Sequence, residues 1–572
     1  MAFVLQYIAI VSIKSYSSEI KLGEIRMITS KKSNKVRFIS GVRLALASVL
    51  SLMSLLVSVS VAVSAPKTLT YALLGEPPNL DPSKATDADS FFILGHTMVG
   101  LTRYDEKENI IPGVAEKWEL TDKGATFHLR KDAKWSDGKP VQAQDFVFAW
   151  KKALDPKTAS EYSFILYHIK NGELINQGKL PLDQLGAVAK DPQTLVVTFE
   201  KPCGYFLGLT SFATYLPMRE DFFNQKKDKY ASSPETLLYN GPFKLTQWVH
   251  GASLRMEKND QYWDKDKVYL DVIDIPYITP DSTTQFNLFK TQKIDVIRSF
   301  NKESLVNAQR EKFKLKKFND GSVFFLQFNV RKGRATANKN LRKAIQAVMN
   351  PTEFVSRVVG IPGTQVGSGL VPTWVMGEKQ TFRKEYPYTF PKQDLAKAKE
   401  YLSKAMSELG LKTPPSLVWL TGDTNLTATE GEYFQRLFKS TLGIELKIDK
   451  QIFKQRLAKM TSGDFDIVSA GWGPDYADAM TFIDLFASWN GNNRGKWEND
   501  EYDKHVRNAM NSVDPKYRMS EMGAAEKVLL EELPMIATYE RTIMYSHTDK
   551  MQGILRRVIG ADPDFTHAKV VE

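Results

Sequence analysis

Residues 416–476 read SLVWLTGDTNLTATEGEYFQRLFKSTLGIELKIDKQIFKQRLAKMTSGDFDIVSAGWGPDY. The segment alternates short apolar runs with longer stretches in which apolar residues recur at helical spacing. It predicts a strand, a helix, a strand, a helix and a strand, in that order, at 417–420, 428–442, 444–448, 452–460 and 465–470. Strands that alternate with helices through short links are typical of a parallel sheet covered by helices, so the predicted fold class is α/β.

The carboxyl end of the last of these strands is where we expect a ligand site, because ligands of such sheets lie beyond the carboxyl ends of the strands. Here that end is the turn GWGPDY at 471–476. Upstream of the segment, apolar residues at helical spacing from Leu395 to Leu409 predict one more helix, which ends at Gly410.

The part of the chain between residues 100 and 200 is richer in predicted strands. Residues 117–120 and 126–129 alternate apolar and polar side chains on either side of a short turn, which predicts a β-hairpin. Residues 193–200, QTLVVTFE, predict another strand. Residues 145–154 predict a helix with one apolar face. That face is formed by Phe146, Ala149, Trp150 and Ala153.

Residues 1–65 are a targeting region. Five Lys and Arg between residues 31 and 43 precede the apolar run 44–63, and the small residues Ser64 and Ala65 follow it. This order predicts a secretory signal that is cleaved after Ala65, with Met27 as the true start. An uncleaved anchor is the alternative, since about twenty apolar residues are long enough to span a bilayer. No cysteine stands at the cleavage point, so we expect a periplasmic protein without a lipid anchor.

The positive charge of the chain does not indicate a nucleic-acid partner. The formal net charge is +11, but residues 1–65 hold eight Lys and Arg against two acidic residues. In the remainder the basic residues are interleaved with acidic ones, and no dense basic run occurs. We therefore expect no binding to nucleic acid.

The sequence lacks the common signatures of catalysis and of metal or cofactor binding. It contains no HExxH, GxSxG, phosphate-loop GK[ST] or CxxC motif, and its seven histidines lie at no metal-ligand spacing. The single cysteine, Cys203, has no intrachain partner. We predict no enzyme, no metal and no cofactor. A hydrolase whose paired carboxylates come from distant loops remains open as an alternative.

A series of motifs in one order resembles the extracellular solute-binding proteins of peptide importers, which are family 5 and include the periplasmic oligopeptide-, dipeptide- and murein-peptide-binding proteins. The resemblance covers nearly all of 66–572 and is closest to the oligopeptide and murein-tripeptide branch. The motifs are GEPPNLDP (75–82), GVAEKW (113–118), FHLR (127–130), WSDG (135–138), DFV (145–147), DP (155–156), NGPF (240–243), NDQYW (259–263) and GWGPDY (471–476).

The resemblance implies a two-lobed periplasmic binding protein of α/β class, type II-like, in which hinge strands let the lobes close on a ligand. It also implies an extra small domain near the N-terminus. The predicted division is lobe I at 66–105, 200–312 and 530–572, the extra domain at 106–199, and lobe II at 313–529.

The resemblance also assigns site residues. Asp475 matches the aspartate that binds the ammonium group of the peptide, although an Asp after a Pro is also common in plain turns. Gly471, Trp472 and Gly473 match the stretch whose backbone pairs with the ligand, and Trp472 is equally well explained as core. Ala88, in the segment 86–88, matches the opposing backbone, and Tyr162 matches a tyrosine near the amino end of the ligand.

Two departures concern the carboxyl end of the ligand. Ser469 stands where relatives that bind tripeptides have an arginine, and Thr427 stands near a family histidine. No partner for the ligand carboxylate is therefore carried over, and a Lys or Arg from elsewhere or a water molecule would have to serve. Ser322 and Gly473 replace a pair of cysteines found in some relatives.

These features predict a monomeric protein that captures short peptides and delivers them to a membrane ABC permease. A murein tripeptide, or a non-peptide cargo such as a metal chelate or haem, is an alternative within the same class. A periplasmic hydrolase of peptides or glycans, or a sensory or chaperone-like protein, is an alternative from another class.

Overall fold

The computed structural model describes residues 65–571. The predicted secretory signal, with Met27 and the apolar run 44–63, lies outside the described residues. Between residues 65 and 571, no helix combines the length and the apolar character that crossing a bilayer requires.

The described chain contains both strands and helices along its whole length. The strands are β1 (Thr68–Leu73), β2 (Thr102–Tyr104), β3 (Ile110–Pro112), β4 (Ala115–Thr121), β5 (Gly124–Leu129), β6 (Ala187–Asp191), β7 (Thr194–Thr198), β8 (Phe243–Val249), β9 (Ser253–Lys258), β10 (Val272–Ile278), β11 (Val296–Ile297), β12 (Lys316–Phe328), β13 (Gln365–Val366), β14 (Ser416–Thr421), β15 (Glu445–Lys450), β16 (Ile467–Trp472), β17 (Met535–His547), β18 (Met551–Gln552) and β19 (Lys569–Val570). The α-helices are α1 (Ala88–Thr97), α2 (Ala143–Leu154), α3 (Gly172–Asn176), α4 (Phe206–Leu209), α5 (Glu220–Lys226), α6 (Ser282–Lys290), α7 (Lys302–Arg310), α8 (Lys339–Val348), α9 (Pro351–Glu353), α10 (Phe382–Glu385), α11 (Leu395–Leu409), α12 (Asn425–Leu442), α13 (Phe453–Ser462), α14 (Met480–Ile483), α15 (Asp500–Met510) and α16 (Pro515–Glu532).

Two four-stranded sheets come from the first half of the described chain. One has the order β1-β10-β9-β8, with β1 parallel to β10 and the other pairs antiparallel. The other has the order β4-β5-β7-β6 and is antiparallel throughout. It contains the predicted hairpin, β4 and β5, and the predicted strand β7, and α2 buries the predicted apolar face. These predictions are confirmed, whereas the predicted limits of the lobes and of the extra domain stay predictions.

A larger mixed sheet carries the segment 416–476. Its order is β11-β17-β12-β16-β14-β15, and β13 pairs with β17. Strands β15, β14 and β16 are parallel, as predicted, but β12 and β17 run antiparallel to their neighbours. The parallel arrangement predicted for the strands of this segment is confirmed, but the sheet as a whole is mixed, because β12 and β17, from other parts of the chain, join it in the antiparallel sense.

The elements within 416–476 lie within three residues of their predicted positions. Helix α12 begins three residues early, because Thr424 caps its N-terminus by accepting a hydrogen bond from the N–H of Thr427 at 3.2 Å. It ends at Gly443, whose φ of 68° lies in the left-handed region that glycine adopts without strain. The apolar faces of these helices pack on the mixed sheet, where Trp419, Phe434 and Ile467 are buried together.

The loop that follows β16 is held in place by a buried ion pair. Arg518, on α16, donates from both Nη atoms to the two carboxylate oxygens of Asp478, each at 2.9 Å. Its guanidinium lies over the ring of Tyr205, 4.9 Å from the centroid. The Tyr205 ring in turn stacks on Tyr476, with the centroids 5.2 Å apart. The loop is therefore held at two side chains, by the ion pair at Asp478 and by the ring stacking at Tyr476.

We expect Arg518→Met to lower the free energy of unfolding by about 3–5 kcal/mol, because it leaves the buried carboxylate of Asp478 without its partner. Urea denaturation followed by circular dichroism measures the change. Lys516→Met, at an exposed position of the same helix, is the control and should stay within about 0.5 kcal/mol of the wild type. Equal shifts for the two variants would show that the ion pair does not hold the loop.

Candidate functional site

Strand β16 has one backbone edge that is left unpaired over most of its length. On one side β16 pairs with β12 from end to end. On the other side β14 pairs only with Ile467 and Val468. Within residues 65–571, no strand continues this edge from Ser469 to Trp472. Its backbone groups are therefore available to an extended chain that would add itself as a strand.

Gly471, within β16, and Gly473, directly after it, have different surroundings. A Cβ atom at Gly471 would lie 2.7 Å from the ring of Phe324 on β12, so glycine is required there by packing within the protein. A Cβ atom at Gly473 would lie 3.2 Å from Oγ of Ser322. The two positions where some relatives carry cysteines thus face each other. Both glycines are exposed.

Asp475 is a half-buried carboxylate that lacks a cation. Its Oδ1 accepts a hydrogen bond from the hydroxyl of Tyr162 at 3.3 Å, and its backbone N–H donates to Oγ1 of Thr481 at 3.0 Å. No basic side chain of residues 65–571 forms an ion pair with it. Burial, and next the negative charge of the buried Asp484, raise the pKa of Asp475 well above its usual range.

Aromatic side chains from four parts of the chain cluster around Tyr162, the residue that donates to this carboxylate. The rings of Tyr162 and Trp472 are nearly parallel, at 24°, with centroids 6.1 Å apart. Phe91, on α1, meets Tyr162 edge-on at 6.1 Å, and Phe212 lies 4.9 Å from the same ring. Trp472 is half-buried, and its indole nitrogen is buried without a hydrogen-bond partner. Because its ring packs on Tyr162, Trp472 forms with Tyr162 an aromatic wall, which contacts Asp475 through the Tyr162 hydroxyl.

Ala88 lies at the start of helix α1, one turn before Phe91. It is exposed, and the preceding residue, Asp87, caps the helix by accepting hydrogen bonds from the backbone N–H and the hydroxyl of Ser90, at 2.9 and 2.6 Å. Burial raises the pKa of Asp87 to about 6. The structure thus brings α1 to the aromatic wall through Phe91, whereas it shows no contact between Ala88 and Asp475.

A cavity of about 240 Å³ lies beside this helix start. Thr86 and Asp87 line one side of it, and Glu161, Leu457 and Arg494 are among the residues that line the rest. Arg494 and Glu161 form an ion pair at 2.6 Å, which joins the residue before Tyr162 to a segment that follows β16. These segments are more than 300 residues apart in sequence, so contacts between distant parts of the chain form this side of the site.

Ser469 and Thr427, at the positions where relatives carry cations, are neutral, and their hydroxyls form hydrogen bonds to nearby groups. The hydroxyl of Ser469 donates to Oε2 of Glu430 at 2.9 Å. The hydroxyl of Thr427 donates to the carbonyl of Thr424 at 2.9 Å, in the first turn of α12. Glu430 and Asp484 were not among the predicted site residues, because neither belongs to a motif and only the fold brings them to β16.

The comparisons with known proteins agree with one another. The family model described as bacterial extracellular solute-binding proteins, family 5, matches residues 109–494. The dipeptide-binding protein DppE of Bacillus subtilis is 33% identical over 488 residues, which are 85% of this chain and 89% of that protein. Among solved structures, the substrate-binding domain of an oligopeptide ABC transporter from Bacillus anthracis has a TM-score of 0.84 at 35% identity, over 89% of this chain and 99% of that one. Listeria monocytogenes OppA bound to peptide has a TM-score of 0.83 at 31% identity, over 89% and 100%.

A further pair of structures indicates the conformation of the chain. The TM-score is 0.82 for the Escherichia coli murein tripeptide binding protein MppA, at 27% identity, covering 89% of this chain and 99% of that one. It is 0.59 for an unliganded open form of MppA, at 28% identity, covering 89% and 98%. The sequence match and the coverage are nearly the same for the two, so the lower TM-score is a difference in conformation. The chain therefore differs from that open form and resembles the peptide-bound Listeria protein.

The fold predicted from the motifs, a two-lobed α/β binding protein, is confirmed by these structures. The family model covers more than half of the chain, and a relative at 33% identity covers most of it. The chain is a member of the bacterial extracellular solute-binding proteins of family 5.

Proposed function

We propose that this protein captures short peptides between its two lobes and delivers them, uncleaved, to a membrane ABC permease. The observation that carries the proposal is the half-buried carboxylate of Asp475, which has no cation and stands at the end of an unpaired strand edge. The proposal includes export to the periplasm through a cleavable signal and a monomeric state. Relatives named as dipeptide- and oligopeptide-binding proteins support it.

The ammonium group of a peptide supplies the positively charged partner that Asp475 lacks. A charge-assisted hydrogen bond of this kind contributes about 1.5–3 kcal/mol, and it is short and directional. The Tyr162 hydroxyl holds Oδ1 of Asp475, so that the second oxygen stays available. In this arrangement the amino end of the peptide lies beside the wall formed by Tyr162 and Trp472.

The rest of the peptide pairs with the free edge of β16. Main-chain hydrogen bonds along an edge strand give affinity without selecting side chains. Gly473, which is exposed, lets another backbone approach closely. Capture that tolerates many side chains follows from this geometry.

The ligand contacts also favour closure. Asp475 and Trp472 belong to predicted lobe II, whereas Tyr162 and Phe91 belong to segments outside it. A peptide held between these groups binds the closed state better than the open one and shifts the population towards it.

Among the alternatives, a murein tripeptide presents the same ammonium group and remains within the proposal. Haem carries no ammonium group, so it leaves Asp475 without a partner. Nothing in the geometry of residues 65–571 favours a hydrolase.

We expect Asp475→Asn to weaken the binding of trialanine about tenfold to a hundredfold, because the amide keeps the shape but loses the charge. N-acetylated trialanine should bind the wild type poorly and should bind both proteins alike. Isothermal titration calorimetry measures the affinities. Asp122→Asn, in an exposed turn, is the control. If acetylation leaves the affinity of the wild type unchanged, Asp475 is not the ammonium partner.

The same substitution is expected to raise the melting temperature of the peptide-free protein at pH 8. The pKa of Asp475 is raised in the folded state, so folding holds this proton more tightly than the unfolded chain does. The stability that protonated Asp475 contributes to the folded protein is fully present below its ordinary pKa of about 4. This contribution is lost as the pH rises through the raised pKa of the folded state. Asn removes this loss, so the gain should shrink at pH 4. Thermal unfolding at the two pH values tests this, and a lower melting temperature of Asp475→Asn at pH 8 would contradict it.

Closure is expected to depend on the peptide. The radius of gyration from small-angle X-ray scattering should fall when trialanine is added to the peptide-free wild type, because the ligand selects the closed state. At the same peptide concentration Asp475→Asn should remain more open. Identical scattering of the wild type with and without peptide would show that binding does not drive closure.

A further inference from the structure

Arg456, on helix α13, is a half-buried cation whose hydrogen-bonding capacity is largely unused. Its Nη1 donates to the carbonyl of Ser469 at 3.0 Å. Its Nε is buried and has no hydrogen-bond partner. No carboxylate of residues 65–571 forms an ion pair with it. A guanidinium has five N–H donors, so most of the donors of Arg456 are open to another group.

Arg342 shows what a purely structural buried arginine does in this protein. It too forms no ion pair within residues 65–571, but all three of its nitrogens donate to backbone carbonyls. The acceptors are the carbonyls of Leu533, Thr336, Ala337 and Glu532. Arg342 thereby makes four hydrogen bonds with its five N–H donors, whereas Arg456 makes one.

Arg456 stands at one end of the free edge of β16. Its acceptor, Ser469, is the first residue of that edge beyond the strand β14. Asp475 lies beyond the other end. From Ser469 to Gly473 the edge spans about 13 Å, at roughly 3.3 Å per residue, which is the length of about four extended residues. A short peptide whose amino end lies at Asp475 would bring its carboxylate to Ser469.

The charges around Arg456 leave it available to an anion. Glu430 is the nearest acidic influence, but it is buried, its Oε2 accepts from Ser469, and burial raises its pKa to about 7. It is therefore only partly ionised at neutral pH. Arg494 adds a second positive charge, and burial followed by this repulsion lowers the pKa of Arg456 to about 10. Asp423 acts on Arg456 in the opposite direction but forms no ion pair with it.

The guanidinium is also covered from the other side of the site. It lies over the ring of Phe453, 5.4 Å from the centroid. A Cβ atom at Gly75 would lie 3.3 Å from Cβ of Phe453, so the GEPPNLDP segment packs directly against this part of α13. The ring of Phe453 shields one face of the guanidinium, and a charge-assisted hydrogen bond is stronger where the local dielectric is low.

We propose that Arg456 binds the C-terminal carboxylate of the captured peptide and so replaces the cations that are missing at Ser469 and Thr427. This inference rests on the proposed function. The charge comes from the helix beside β16 instead of from the strand itself. Arg456 and Asp475 then hold the two charged ends of one short extended chain.

The test compares tetraalanine as free acid with tetraalanine amide, both with a free ammonium group, by isothermal titration calorimetry, because about four extended residues match the length of the free edge. We expect the wild type to prefer the free acid about tenfold to a hundredfold. Arg456→Gln should lose this preference and bind the two peptides alike, whereas Arg456→Lys should keep part of it. Arg436→Gln, which removes an exposed arginine on α12, is the control and should keep the wild-type ratio.

The ratio of the two affinities separates this role from a structural one, because damage to the fold weakens the binding of both peptides by the same factor. Equal binding of acid and amide by the wild type overturns the role of Arg456 and leaves the proposed function standing. A preference that survives in Arg456→Gln overturns it as well. Failure of the wild type to bind either peptide, or any longer alanine peptide, overturns the proposed function itself.

Discussion

A carboxylate placed without a cation is the constraint on which this site depends. Asp475 is half-buried near the buried Asp484 and is held by one hydroxyl at 3.3 Å. Such a group lowers the stability of the empty protein, because burial disfavours its charged form. The surrounding structure must therefore hold it in place, and the ion pair of Arg518 with Asp478 does so three residues further along the loop. In the empty protein Asp475 has no cation to interact with, so a cation of the ligand can form that interaction without displacing a protein group.

The unpaired edge of β16 converts this single charge into a site for a chain. Strand β14 ends before Ser469, so several backbone groups of β16 face a gap that an extended ligand can fill. Opposite charges at the two ends of the edge give the gap a direction, since the ammonium group and the carboxylate of a peptide cannot exchange places. Affinity then comes from features that every peptide shares, which are its backbone and its two ends.

The sequence predicted the local structure better than the assembly. Alternation within 416–476 placed each strand and helix to within three residues, and the hairpin at β4 and β5 followed from its own pattern. The mixed character of the sheet did not follow, because β12 and β17 are supplied by distant segments. The role of Asp475 came from resemblance. Its isolation from cations, and its proximity to Tyr162, more than 300 residues away, are properties of the fold alone.

The same limit explains why a position-by-position comparison with relatives misses Arg456. At Ser469 such a comparison records only the loss of a positive charge. In the fold, the long side chain of Arg456 reaches the carbonyl of that same residue from the neighbouring helix. A second guanidinium at position 469 would lie against Arg456 and displace the hydrogen bond from Ser469 to Glu430. The small residue at 469 and the arginine at 456 are therefore complementary choices, in which one location keeps its charge while the residue that supplies it changes.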